Sequence, residues 1–274
     1  MPDTPVTPLP ASTVLLLRDG ASGMEVFMVK RPTKMDFAAG ALVYPGGKVD
    51  PADRTAWLRD RSGPISDIDD FHLSLHVAAV RETFEECGVL LARPKGGSDL
   101  IPADRVPDLD AKYRDALMKD EIGIDEMIEA ENLDLACDLL VYYAHWITPE
   151  MRPKRFDTHF FLAPAPPGQV ALHDGSESLD SLWNSPQGVM DDFVGGVHFV
   201  MFPTYCTLSK LDRSNTVDEA LERARGEKVV TVLGQREKGP DGSTSMVLPK
   251  DAGYDIFEVP DPSRPNGKHT VIHR

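Results

Sequence analysis

The apolar positions of this chain repeat with two different periods, and the change of period marks out its elements. STVLLLRD (12–19) and MEVFMVKR (24–31) are strand-type runs separated by the turn-rich DGASG, which predicts a β-hairpin. ALVYPGG (41–47) reads as a short strand closed by Pro45-Gly46-Gly47, where two glycines let backbone carbonyls approach groups that a side chain would obstruct. In LSLHVAAVRETFEEC (73–87) the period lengthens. Leu73, Val77, Val80 and Phe84 fall at i, i+4, i+7 and i+11, an apolar stripe of helical period. Gly88 follows as a helix-ending residue, and VLLA after it reads as a short buried strand.

The remaining pattern is mixed. Residues 51–73 are polar and acidic with weak periodicity, and 95–136 form an acidic segment with helical patterns near 109–118 and 122–131, expected to be a helical insert. DLLVYYAHWI (138–147) and RFDTHFFLA (155–163) are the clearest strands. GQVALHD (168–174) is a further strand candidate, and SLDSLWNSP (178–186) leads to a helix near 186–193. Helices are expected at 202–211 and 216–226, and a strand within 229–236. The Pro-, Gly- and Asp-rich tail is expected to be mostly loop. Residues 1–10 carry four prolines and read as a flexible N-terminal arm before a single domain over 11–274. Strands and helices in irregular alternation predict an α+β fold with a mixed sheet rather than regular βαβ repetition.

Composition narrows the function. A chain of 274 residues is long enough to bury a substantial core, and 41% hydrophobic with 27% charged residues is ordinary for a globular protein. The net charge of −15 argues against nucleic acid as a partner, and an anionic substrate would need a local basic patch or a metal ion. Cys87, Cys137 and Cys206 are far apart, without a CxxC pair, which suits a reducing cytoplasm and points to neither a zinc site nor a disulfide framework. No apolar run approaches the ~20 residues that span a bilayer, and the N-terminus lacks the pattern of a secretory signal, so no membrane partner is expected.

The chemistry concentrates in RETFEECG (81–88). On a helix, Glu82, Glu85 and Glu86 share a side, with Arg81 pairing to Glu85 at i, i+4. Many such acidic faces are simply solvated. Here a glycine turn precedes the helix and Gly88 ends it, and hard oxygen ligands on one rigid element suit Mg²⁺ or Mn²⁺. Arg81-Glu82-Thr83-Phe84-Glu85-Glu86-Cys87-Gly88-Val89 resembles the second half of the Nudix hydrolase box, with Thr83 at a position that is usually apolar. Gly47 resembles its first residue. The first half departs from the pattern: Asp53 stands where a glutamate is expected, and an insert of about 20 residues (about 54–73) splits the box. A split box followed by FEECGVLL resembles the Nudix branch that includes animal peroxisomal coenzyme A diphosphatases. Trp146-Ile147-Thr148-Pro149, Arg155-Phe156-Asp157-Thr158, Phe160-Phe161, and Glu177 with Trp183 and Pro186 are similar to that branch as well.

The resemblance implies an α/β/α sandwich with a mixed central sheet, and metal-dependent hydrolysis of a diphosphate linkage in a small nucleoside diphosphate derivative. Coenzyme A or acyl-CoA is the first candidate substrate. NADH, nucleotide sugars and a non-catalytic nucleotide-binding module remain open. It implies Glu82, Glu85 and Glu86 as catalytic groups and metal ligands with the Gly47 carbonyl, one glutamate acting as general base, and Arg81 orienting Glu85. Glu177 is the candidate further ligand, with Asp174 and Asp180 behind it. Lys48, Arg152 and Arg155, with Lys154 in the same run, are candidates for holding phosphate. The 95–136 insert is expected to cover the substrate, pack on the domain or form a homodimer surface. There is no phosphate loop, no GxSxG, no HExxH and no zinc spacing among the eight histidines; His76 is expected to be a helix-surface or core residue and Cys87 a small buried hydrophobe.

Overall fold

A computed structural model describes residues 6–32, 39–65, 68–173, 180–238, 244–261 and 267–274. Its centre is an eight-stranded mixed sheet. β1 (Leu9–Gly20) and β2 (Gly23–Lys30) form the expected hairpin, and β3 (Leu42–Val43) continues from β2. β4 (Gly46–Lys48) pairs with the first half of β1.

On the other side of β1 lies β8 (Phe156–Pro164), parallel to it and antiparallel to β7 (Val141–Ile147), and β10 (Thr231–Leu233) extends the edge parallel to β7. β9 (Asp180–Asn184) pairs with β2. Two further strands, β5 (Ala92–Pro94) and β6 (Leu133–Leu135), form a separate two-stranded sheet among the described residues and bracket the helical insert.

Both faces of the sheet are covered, which explains the unbroken apolar run of β1. Val14 and Leu16 point into one core, Leu15 and Leu17 into the other. The first core holds the helix α1 (Asp70–Cys87) and the residues around it. It also takes in the insert, whose helices are α2 (Val106–Leu109), a π-helical turn over Asp110–Arg114, α3 (Asp115–Met118) and α4 (Ile124–Ala130). The second core holds α5 (Pro186–Val194), α6 (Phe202–Leu211) and α7 (Val217–Gly226). The result is the α/β/α arrangement that the resemblance implies.

The box insert and the 95–136 insert pack together. Leu58 shares a core with Leu117, Ile124, Met127 and Ile128. Thr55 Oγ1 donates to Asp125 at 2.8 Å and Arg61 Nη1 to Asp134 at 3.0 Å.

Four expectations are corrected. VLLA is buried, but only its last residue, Ala92, enters a strand: Leu90 exchanges its backbone N–H and C=O with the side-chain amide of Gln169, at 2.9 and 3.2 Å, and Leu91 O accepts from Ala136 N. Those bonds satisfy the backbone without a ladder, and residues 168–173 accordingly form no strand. The tail is not mostly loop. β11 (Gln235–Lys238), β12 (Thr244–Leu248), β13 (Glu258–Asp261) and β14 (Gly267–His273) make a four-stranded sheet, with Leu248, Val259 and Val271 in the second core. Lastly, β1 begins at Leu9, so the strand takes in the final two residues assigned to the N-terminal arm.

Candidate active site

The box residues sit on the last two turns of α1. Asp69 caps the start of this helix by accepting from His72 N at 2.8 Å. Gly88 ends it in the left-handed conformation at φ 66°, its N–H bonded to Phe84 O. Phe84 and Val80 are fully buried, as the stripe requires. Thr83, at the apolar position of the pattern, is also fully buried. Its hydroxyl donates to Ala79 O at 2.7 Å, so the polar group costs little. Cys87 is a buried thiol, pushed up to about 12 by burial, and donates to Thr83 O.

Arg81 is the hub, and it is buried rather than solvent-facing. Nε and Nη2 donate to the two oxygens of Asp53 at 2.9 and 3.0 Å, Nη2 also to Lys48 O at 2.8 Å, and Nη1 to Glu82 and Glu85. Asp53 is only 2% exposed and accepts from Asp50 N. Asp53, six residues after Gly47, thus bonds directly to the first residue of RETFEECG. Burial alone would depress Arg81; Glu82, Asp53 and Glu85 lift it above its ordinary value. The guanidinium is a fixed cation that locks the β4 turn, the box insert and the helix together.

The three glutamates are each 9% exposed, far more buried than a solvated acidic face would be. Burial raises the Glu82 carboxyl well above its usual range. Arg81 pulls it back down, and Glu86 and Glu85 push it further up. Glu85 is raised by burial too, against the pull of Arg81. Glu86 accepts from Gly46 N at 3.0 Å. Gly47 lies so close that a Cβ on it would stand 2.4 Å from Glu82 Oε1. Desolvated, mutually repelling carboxylates packed against a bare backbone fit a hard divalent cation, which would offset the repulsion.

A cleft of about 320 Å³ opens beside this cluster. Arg81, Glu85 and Asp50 line one wall. Leu117, Asp120, Glu121 and Glu126 of the helical insert line the other. The insert thus faces the box directly. It is also tied to it by Arg114, which sequence reasoning missed: Nε donates to Glu85 O at 2.7 Å and Nη2 to Leu172 O at 3.2 Å. No local motif marks Arg114, since its partners lie on other segments.

The other predicted residues divide. Lys48 is exposed at the end of β4. Arg152 and Lys154 are exposed in the β7–β8 connection, at the same end of the sheet. Arg155 departs from its expected role: it is buried, and it donates to Thr148 O at 3.0 Å and Val6 O at 2.6 Å. It pins the N-terminal segment to that connection instead of presenting its guanidinium to a phosphate. Asp180 begins β9, paired with Lys30 on the far side of β2. Asp174 and Glu177 lie outside the described residues. His76 packs against Phe161 with tilted rings, their centroids 4.6 Å apart. Among the described residues no helix is long and apolar enough to cross a membrane.

Comparison with known proteins agrees with this geometry. The family described as the NUDT19 Nudix domain matches residues 66–211, more than half of the chain, and its match includes the whole RETFEECG segment. A Xenopus laevis protein called acyl-coenzyme A diphosphatase NUDT19 is 24% identical, over 93% of this chain and 77% of its own length. The human protein of that name is 28% identical over 70% of this chain, which spans 61% of the human length. A crystal structure of a NUDIX hydrolase from Alicyclobacillus acidocaldarius is 29% identical, with a TM-score of 0.65 over 79% of this chain and 96% of its own.

Proposed function

The chain belongs to the Nudix hydrolases, in the family described as the NUDT19 Nudix domain, and from that premise we propose that it hydrolyses the diphosphate linkage of coenzyme A or an acyl-CoA with Mg²⁺ or Mn²⁺. The observation that carries the metal-dependent reading is the set of three buried carboxylates against Gly47. Glu82, Glu85, Glu86 and the Gly47 carbonyl would hold the cation. When bound, it supplies charge neutralisation for the diphosphate and lowers the pKa of water. Such help is needed here, because the cleft is lined by Asp50, Glu85, Asp120, Glu121 and Glu126 against Arg81. A bare diphosphate would be repelled from it.

The protein's own contribution is position and proton transfer. Arg81, held by Asp53 and Lys48 O, fixes the rotamers of Glu82 and Glu85; it is a positioning residue, since its donors are directed at protein oxygens. One of the glutamates takes the proton of the attacking water, and a carboxylate with a raised pKa is the better base at neutral pH. Lys48 and Arg152, exposed at one end of the sheet, would attract the outer phosphates of an extended nucleotide. The coenzyme A assignment draws on the relatives that carry that name. The three cysteines are free and buried, which suits a reducing compartment such as the cytoplasm.

The test is mass-spectrometric product analysis with coenzyme A, acyl-CoA, NADH, ADP-ribose and UDP-glucose, with Mg²⁺ or Mn²⁺, for the wild type and Glu86→Gln. Formation of a phosphopantetheine product and adenosine 3′,5′-bisphosphate by the wild type, reduced by about 10²–10⁴-fold in the variant, is the expected result. Preference for another diphosphate would replace the substrate. Tight nucleotide binding without any turnover would replace the enzyme by a binding module.

A further inference from the structure

A second cluster of metal-ligand type lies on the same face of the sheet, away from the glutamates. His145, Asp157 and His159 each offer one ligand atom, and these atoms all lie within 4.8 Å of one another. The placement follows from strand pairing. His145 and His159 are cross-strand partners on β7 and β8, and Asp157 precedes His159 by two residues, so its side chain shares the face. The His145 and His159 rings stack with centroids 4.1 Å apart. His145 Nε2 donates to Asp157 Oδ1, and His159 Nε2 stands 3.6 Å from the same oxygen.

A β-bulge shapes the cluster. The register of β7 against β8 shifts between Tyr142 and Ala144. Tyr142 and His145 are three apart and in a regular strand would face opposite sides. The extra residue brings both onto one face. Tyr142 OH then reaches His159 Nδ1 at 2.8 Å, while Thr231 Oγ1 from β10 reaches His145 Nδ1 at 2.8 Å. Each ring is held at Nδ1 by a hydroxyl, which can accept the Nδ1–H that a ring carries when its Nε2 ligates an ion.

One atom in this arrangement lacks a hydrogen-bond partner. His159 is 4% exposed, yet among the described residues its Nε2 is buried without one, beside the His145 and Asp157 ligand atoms. A buried polar atom of this kind calls for an explanation. Burial, then His145, holds the His159 ring down to about 4, so at neutral pH it offers a lone pair rather than a charge. The Asp157 side chain, 27% exposed, opens the cluster to solvent on one side.

We propose that His145, Asp157 and His159 form a binding site for a divalent transition-metal ion of the zinc class, separate from the glutamate cluster. Two imidazoles and a carboxylate suit Zn²⁺ or Co²⁺ better than Mg²⁺, with a fourth position left to water. His159, Ser12 and Gly47 lie in one row across three neighbouring strands, so the backbones of the two sites are about 10 Å apart. The ion takes the place of the proton that His145 shares with Asp157.

The experiment uses the full-length, untagged protein after chelator treatment, titrated with Zn²⁺ and, in parallel, with Co²⁺ followed by its visible absorption. The expected result is a tight site of about one ion per chain with intense tetrahedral Co²⁺ bands. These persist in Glu86→Gln, are lost in His145→Gln and His159→Gln, and form with roughly tenfold weaker affinity in Tyr142→Phe. Weak octahedral Co²⁺ absorption alone, or Zn²⁺ affinity unchanged in His159→Gln, overturns the proposal. Should the histidine variants fail to fold, X-ray absorption of the zinc-loaded wild type decides. Scattering from two imidazoles supports the site, and an all-oxygen shell overturns it.

Discussion

Arg81 and Asp53 meet fork to fork, Nε to Oδ1 at 2.9 Å and Nη2 to Oδ2 at 3.0 Å, with both side chains buried. This pair spans the insert that splits the box. It also holds the guanidinium against Glu82 and Glu85, so the insert does not disconnect the glycine turn from the helix.

Removing the carboxylate charge from this pair leaves a buried guanidinium without its main partner. Asp53→Asn should lower stability by about 3 kcal/mol, the lower end for breaking a buried ion pair, as measured by urea denaturation. Hydrolysis should fall with it, because Glu82 and Glu85 lose their anchored cation.

The two glycines of the turn should respond differently. A Cβ on Gly46 would lie 2.3 Å from Ser12 O, a backbone atom that cannot move alone, so Gly46→Ala should destabilise by about 3 kcal/mol. The atoms nearest a Cβ on Gly47 belong to the Glu82 carboxylate, the far end of a side chain, at 2.4 Å. Gly47→Ala should therefore cost about 1 kcal/mol of stability while displacing Glu82 and reducing kcat sharply. Thermal denaturation set beside steady-state kinetics separates the two.

Arg114 joins the insert to the end of the box helix through Glu85 O and Leu172 O. Arg114→Ala should cost about 1–2 kcal/mol. Amide hydrogen exchange should quicken at residues 85–88 and in the insert facing the cleft more than in the central sheet.

Glu131 supplies a pH dependence. Lys112 and Tyr113, then Arg105, hold its carboxyl down at about 2, below the usual glutamate range. A depressed acid stabilises the fold above its unfolded-state pKa and loses that contribution as pH falls towards the folded value. Glu131→Gln should be less stable than wild type by about 1 kcal/mol at pH 7, a discounted figure for solvent-facing pairs. The gap should narrow below about pH 4.5 and close near pH 2. Melting temperatures of both proteins across that range check it.

The glutamate helix was legible in the sequence because its information is local. Helical spacing puts Glu82, Glu85 and Glu86 on one side, Phe84 and Val80 in the core and Gly88 at the end, whatever the rest of the chain does. The β1–β2 hairpin followed likewise from period and turn chemistry, and the α/β/α layering from the family resemblance that the box carries. Tertiary structure decided what depends on partners distant in the chain. It gave Asp53 to Arg81 across the insert, turned Arg155 from phosphate to Val6 and Thr148, and let Gln169 satisfy the backbone of Leu90 where a strand was expected. The tail sheet was hidden because short strands broken by Pro and Gly carry too little periodicity to register alone, and are stabilised by burial of Leu248, Val259 and Val271. The histidines show no ligand spacing along the chain for a related reason: His145 and His159 become neighbours only through strand register, and a bulge decides which face carries Tyr142 beside them. Sequence spacing fixes contacts within an element; contacts between elements wait on packing.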